Sequence, residues 1–190
     1  MNYLVLHGSF GSPFGNWFPY LRSELEKREL TVYTPDMPTG VGYQNYDNWS
    51  KVMDAYVSAG VVNENTIVFA HSIAPVFICK YLVEHNLRVK RLVLVCGFNN
   101  YLGINEEYDA VNESMYFENL SNVKKYCDDI VCFYSDNDPS RDILVQIVPT
   151  EEELKEFMDA CDTPSDEDDT SSDEDDTSSD EDDTSSDEDE

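Results

Sequence analysis

A serine stands in the middle of Ala70-His71-Ser72-Ile73-Ala74, directly after a β-branched run that begins at Thr66 and directly before a helical pattern that begins at Pro75. A serine held on a sharp strand-to-helix turn exposes its hydroxyl at the carboxyl edge of a sheet, where it can attack an acyl carbon. The turn crowds the positions two before and two after the serine. Both are alanine here, the next smallest residue after the usual glycine. Two further segments fit the same chemistry. His7-Gly8-Ser9 ends the first apolar run, where a loop at Ser9 can aim a backbone N–H at a developing oxyanion; the N–H of Ile73 would be the second donor. Ser135-Asp136-Asn137-Asp138-Pro139 follows another apolar run and places a carboxylate where it could orient a histidine.

Each of these residues also has a plainer reading. Ser72 could cap the helix that follows it, and Asp138 before Pro139 could be a turn residue only. His71 reads as a packing neighbour of the turn, His7 as a structural hydrogen-bonding residue, and His85 as a solvated or dipole-compensating residue near a helix end. Asp36 and Asp136 are most simply solvated or turn-stabilising. None of the three histidines is a good base for Ser72.

The elements that must position these residues are legible in period. Tyr3-Leu-Val-Leu is a short continuous apolar run, as expected of a buried parallel strand. Residues 17–28 are helical in period, with Trp17, Phe18, Leu21 and Leu25 on one face. Thr31-Val-Tyr-Thr leads into Pro35, which favours an extended residue before it. Residues 47–60 form the clearest helix: Trp49, Val52, Met53, Tyr56 and Val57 recur at helical spacing, and Gly60 is placed to cap the end. Strands over 66–70, 91–96 and 130–134 and a helix over 75–85 complete an alternation that predicts an α/β fold, a parallel sheet with helices on both faces. About 160 residues are enough to bury a sizeable core.

Together, Leu6-His7-Gly8, Trp17-Phe18-Pro19-Tyr20-Leu21, Pro35-Asp36-Met37-Pro38, Ala70-His71-Ser72-Ile73-Ala74-Pro75 and Ser135-Asp136-Asn137-Asp138-Pro139 resemble the small α/β-hydrolase family of YdeN-like proteins, which includes the retinoblastoma-binding serine hydrolase. The resemblance covers about residues 2–139, and five motifs in order make it specific. It implies a Ser–Asp–His triad with Ser72 as nucleophile and Asp138 as acid, and esterase-type hydrolysis of small acyl substrates without a cofactor. The chain departs from that family where the triad histidine should follow the acid, because no histidine occurs after His85. Loss of a triad base costs on the order of 10⁶ in rate, about 8 kcal/mol. A serine hydrolase that is catalytically impaired is therefore expected. Past Asp138 the domain diverges from the family pattern or is truncated against it. Residues 143–148 read as a strand, and Thr150 with Glu153 as a capping box for a helix bearing Leu154, Phe157, Met158 and Cys161 on one side. Residues 135–142 are too few for a parallel crossover, so that strand is expected to pair antiparallel or at an edge.

Charge divides the chain. Its 190 residues carry 12 basic and 40 acidic side chains, a net of −28. Residues 164–190 hold 16 of the acids and no base, which leaves 24 acids against 12 bases before them. Ser-Asp-Glu-Asp-Asp-Thr-Ser occurs three times from Ser165 onward, with no apolar position in the repeat. Such a segment repels itself and has nothing to bury, so it is expected to stay disordered. The division expected is a hydrolase-like domain over 1–161 and an acidic tail over 162–190. A polyanion repels phosphates, which argues against nucleic acid and against an anionic membrane surface as partners. The alternative to an enzyme is an interaction protein whose tail binds basic partners such as histones or ribosomal proteins, with a merely solubilising tail as the plainest case. Ser165 with Asp168 and Ser172 with Asp175 resemble acceptor sites for acidophilic kinases.

No run approaches the roughly 18–20 apolar residues of a membrane span, and the N-terminus lacks the basic segment of a signal peptide. The five cysteines are odd in number, form no C-x-x-C pair and show no ligand spacing with histidine, which points to free thiols and no metal. A reducing compartment follows, cytoplasmic or nuclear.

Overall fold

The computed structural model describes residues 1–134. Within them five strands alternate with helices: β1 (Asn2–Leu6), α1 (Phe18–Glu26), β2 (Thr31–Tyr33), α2 (Tyr46–Ser58), β3 (Thr66–His71), α3 (Ala74–Glu84), β4 (Val89–Val95), α4 (Glu106–Asn112) and β5 (Cys127–Phe133). Short 3₁₀ turns at Glu113–Met115 and Leu120–Lys125 lead into β5. The strands form one sheet in the order β2-β1-β3-β4-β5, and every pairing is parallel. The expected α/β sheet flanked by helices is the observed fold.

β3 lies at the centre, with Leu6 of β1 opposite Ala70 and Val95 of β4 opposite His71. The carboxyl ends of β1, β3 and β4 therefore converge where the chain turns into α3. That helix is buried nearly all round, from Ala74 through Cys79 and again at Tyr81 and Leu82. A helix apolar on every side has to sit inside the fold, and this one packs with Trp49 and Met53 of α2 and with Leu4, Leu6, Val68, Leu92 and Leu94 of the sheet in one core. The start of α3 is thus held by a rigid body.

Helix α2 begins with Asn45, whose side chain accepts from the Asn48 N–H. It ends as the position of Gly60 foretells. Gly60 has φ +71°, its N–H donates to Val57 O and that of Val61 donates to Tyr56 O. Both bonds belong to a left-handed helix stop that suits glycine. The α1 stripe is shallower than its period suggests: Phe18 is buried, whereas Trp17, Leu21 and Leu25 stay half-exposed. Helix α4 carries three acids in its first turn and only seven residues, too short a pattern to announce itself. The strand expected over 143–148, the helix over 150–161, Asp138 and the acidic repeat lie outside the described residues. Among the described residues, Cys79, Cys96, Cys127 and Cys132 form no disulfide.

Candidate active site

Ser72 sits between β3 and α3 at φ +64°. A non-glycine residue in this region costs about 1 kcal/mol or more and persists only where its surroundings enforce it. Here they do. The Ser72 N–H donates to Val95 O at the end of β4 (3.0 Å), and Ala70 and Ala74 on either side are fully buried. The N-cap of α3 is Ile73, and no side chain caps this end. Helix capping therefore does not account for the serine. The first N–H groups of a helix have no intrahelical partner, so the turn presents the Ile73 amide beside the Ser72 hydroxyl.

The β1 loop closes on this turn from the other side. A Cβ built on Gly8 would lie 2.4 Å from Ser72 Cβ and 2.8 Å from its Oγ. Only glycine allows the two backbones so close. The loop is then held at three further points. The Gly11 N–H donates to Gly8 O, the Phe10 N–H donates to Gln44 Oε1 (3.0 Å), and Ser9 Oγ donates to Asn112 Oδ1 (2.6 Å). The Phe10 amide is thus occupied by the Gln44 side chain.

The three histidines have other places. His7 is buried; its Nε2 accepts from the Met37 N–H (3.0 Å), which puts the ring proton on Nδ1, facing Gly8 O at 2.9 Å. Burial lowers its pKa, against smaller raising effects of the Gly8 carbonyl and Asp36, so the ring is neutral with its one lone pair already used. His71, the last residue of β3, packs edge-on against Trp17 and Phe18. His85 lies at the far end of α3, about 18 Å from Ile73 at 1.5 Å per residue. There it stacks on Tyr81 and its Nδ1 meets Tyr81 O. The expected packing role of His71, hydrogen-bonding role of His7 and helix-end role of His85 match these placements.

The arrangement is a strained serine at the head of a buried helix, facing a glycine loop at the carboxyl edge of a parallel sheet. The family model described as serine hydrolase matches residues 3–145. The chain belongs to the serine hydrolase family. Among solved structures, the ydeN gene product of B. subtilis is similar at 22% identity, with a TM-score of 0.62 over 77% of this chain and 80% of that one; the likeness shows a shared fold. An extracellular α/β-hydrolase from Paenibacillus species is similar at 23% identity, with a TM-score of 0.44 over 53% of this chain and 42% of that one. A bromoperoxidase from Bacillus anthracis is similar at 16% identity, with a TM-score of 0.44 over 57% of this chain and 41% of that one. This chain spans less than half the length of either. The comparison with curated proteins finds no match.

Of the residues singled out in the sequence, this member of the serine hydrolase family brings Ser72, Ile73 and the Gly8-Ser9 loop to one place; Asp138 lies outside the described residues. Gln44 and Asn112 were not foreseen, since isolated amides in a loop and at a helix end carry no local signal. Among the described residues no group of His, Cys, Asp or Glu side chains is set to hold a metal ion, and no helix is long and apolar enough to cross a membrane. A cleft of about 550 Å³ opens beyond Gln44 and Val111, and Ser72 does not line it.

Proposed function

We propose that Ser72 is the nucleophile of an esterase-type site for small acyl substrates. The Ser9 and Ile73 amides receive the oxyanion, Asp138 is the acid of the site, and no cofactor takes part. The observation that carries this reading is the left-handed Ser72 backbone packed directly on Gly8. A helix cap or a loop serine has no need of either feature. The same geometry supports impairment: the lone pair of His7 is taken by the Met37 amide, the His71 ring packs against Trp17 and Phe18, His85 lies at the far end of α3, and the hydroxyl of a serine is too weak an acid to attack without a base. Turnover is accordingly slow, and the protein is a hydrolase in fold and site more than in rate. We place it in the cytoplasm.

These placements of the three histidines also favour a second reading, in which the hydrolase domain carries the acidic tail to basic proteins and performs no chemistry. A fluorophosphonate probe separates the two. In labelling, Ser72 Oγ bonds to phosphorus, fluoride leaves and the serine proton passes to solvent. Slow labelling that maps to Ser72 and vanishes in Ser72→Ala supports the esterase site. Absence of labelling at Ser72 over prolonged exposure overturns it and leaves the interaction reading.

A further inference from the structure

Three segments far apart in sequence meet beside the β1 loop. Asn112, at the end of α4, is fully buried, and Gln44, in the loop before α2, is 2% exposed. Asn112 Oδ1 accepts from Ser9 Oγ (2.6 Å) and from Gln44 Nε2 (2.8 Å), and Asn112 Nδ2 donates to Tyr108 O (2.8 Å). Gln44 Oε1 accepts from the Phe10 N–H (3.0 Å). Each amide thus has its oxygen and nitrogen assigned by its partners, and neither can flip without losing a bond. The loop they hold is strained, with Phe10 at φ +51° and its ring leaning on Tyr108.

Buried polar pairs are a poor means of gaining stability, because apolar groups of the same shape can serve as well. They do fix geometry. What this pair fixes is the segment between Gly8, which touches Ser72, and Phe10. We propose that Gln44 and Asn112 are positioning residues for the oxyanion loop. Asn112 ties down the Ser9 hydroxyl so that it cannot enter the site, and Gln44 consumes the Phe10 amide, so that the Ser9 amide alone is presented to the ligand. The inference rests on the oxyanion reading of Ser9 and Ile73 and deepens it: specificity for a two-donor hole is set from outside the site.

The test uses phenylboronic acid as the probe and amide ¹H–¹⁵N NMR spectra of the whole chain as the readout. Ser72 Oγ bonds to boron, its proton goes to solvent, and boron becomes a tetrahedral anion that mimics the oxyanion. In the unaltered chain both the Ser9 and the Ile73 amides are expected to shift. In Asn112→Leu, Ile73 still responds because α3 anchors it, the Ser9 response is lost, and affinity falls about a hundredfold, the lower end of the scale for losing one oxyanion donor. Gln44→Met, which frees the Phe10 amide and removes one of the two donors to Asn112 Oδ1 while leaving the Ser9–Asn112 bond in place, moves the response from Ser9 toward Phe10 and decides the matter if Asn112→Leu fails to fold. A Ser9 response that persists at full size in both variants, or in Gln44→Met alone where Asn112→Leu does not fold, overturns this inference and leaves the oxyanion reading intact. Neither amide shifting in the unaltered chain overturns the oxyanion reading itself.

Discussion

Gly8 and Ser72 touch so closely that a single methyl group between them would sit 2.4 Å from Ser72 Cβ and 3.0 Å from the carbonyl oxygen of His71. The obstacle includes backbone, which cannot swing aside as a flexible side chain would. The contact fixes the distance between the β1 loop and the Ser72 turn, and so the width of any oxyanion site between them. Gly8→Ala is therefore expected to cost about 1–3 kcal/mol, the range for forcing one extra carbon into a packed site, and to slow fluorophosphonate labelling of Ser72 at the same time. Urea denaturation and labelling rates measured on one preparation check both. An alanine variant of unchanged stability and labelling would show that the turn relaxes freely.

Ser72 itself stores strain. Glycine occupies φ near +64° without penalty, so Ser72→Gly is expected to stabilise the fold by up to about 1 kcal/mol while abolishing labelling. Ser72→Val, branched at Cβ, should destabilise it. Equal midpoints for serine and glycine in urea would argue that the turn is unstrained.

His7 makes a pH-dependent contribution whose sign is set by its burial. Its folded pKa lies below the unfolded value of 6.5, so the unfolded state binds more protons as pH falls through that value. Stability is then lost on acidification, beginning near pH 6.5 and levelling off below the folded pKa. His7→Gln removes this component. The stability difference between pH 7.5 and pH 5, measured by denaturant titration, should narrow in the variant, at an overall cost of about 1–3 kcal/mol for the disturbed bonds to Met37 and Gly8. A slope unaffected by the substitution would mean that the ring titrates normally.

Where the sequence could be read, and where it could not, has a physical pattern. β1, β3 and β4 are short apolar runs between turn residues, and α2 repeats Trp49, Val52, Met53, Tyr56 and Val57 at helical spacing; these signals are local, and the sheet follows from their alternation. The serine turn was legible because its neighbours are small and its flanks change period within a few residues. Residues 97–126 offered no such pattern. Helix α4 is acidic at its start and the 3₁₀ turns are short; the turns are placed by contacts with α3 and β5, and α4 by its contact with the first turn and by the Asn112 bond to Ser9. Asn112 and Gln44 were invisible for the same reason: their partners lie 103 and 34 residues away, and nothing local marks them.

Gly60 offers a control away from the site. Its φ of +71° closes α2, and a Cβ there would meet no atom within 4 Å. Gly60→Ala should cost about 1 kcal/mol from backbone strain alone and leave Ser72 labelling unchanged. Thermal and urea unfolding measure the first, and probe kinetics the second. A loss of labelling from this distant change would mean that the reactivity of Ser72 follows global stability and not the geometry of its own turn.

The proposed impairment is specific enough to be repaired. If Ser72, the Ser9 and Ile73 amides and the glycine loop are in place and only a base is missing, then a base supplied from solution should restore part of the chemistry. Free imidazole is small enough to enter an open site, and its neutral form can take the hydroxyl proton as a triad histidine would. Imidazole also cleaves activated esters by itself, so the quantity of interest is the rate of the unaltered chain minus that of Ser72→Ala at each imidazole concentration. Without imidazole this difference should be close to zero, because triad groups act as a unit and removing the serine costs little once the base is gone. With imidazole it should rise, saturate if the base binds, and fall as the solution is made acid and imidazole is protonated. A large Ser72-dependent rate without imidazole would show that the chain supplies its own base. A difference that stays at zero throughout would show that more than the base is missing from the site.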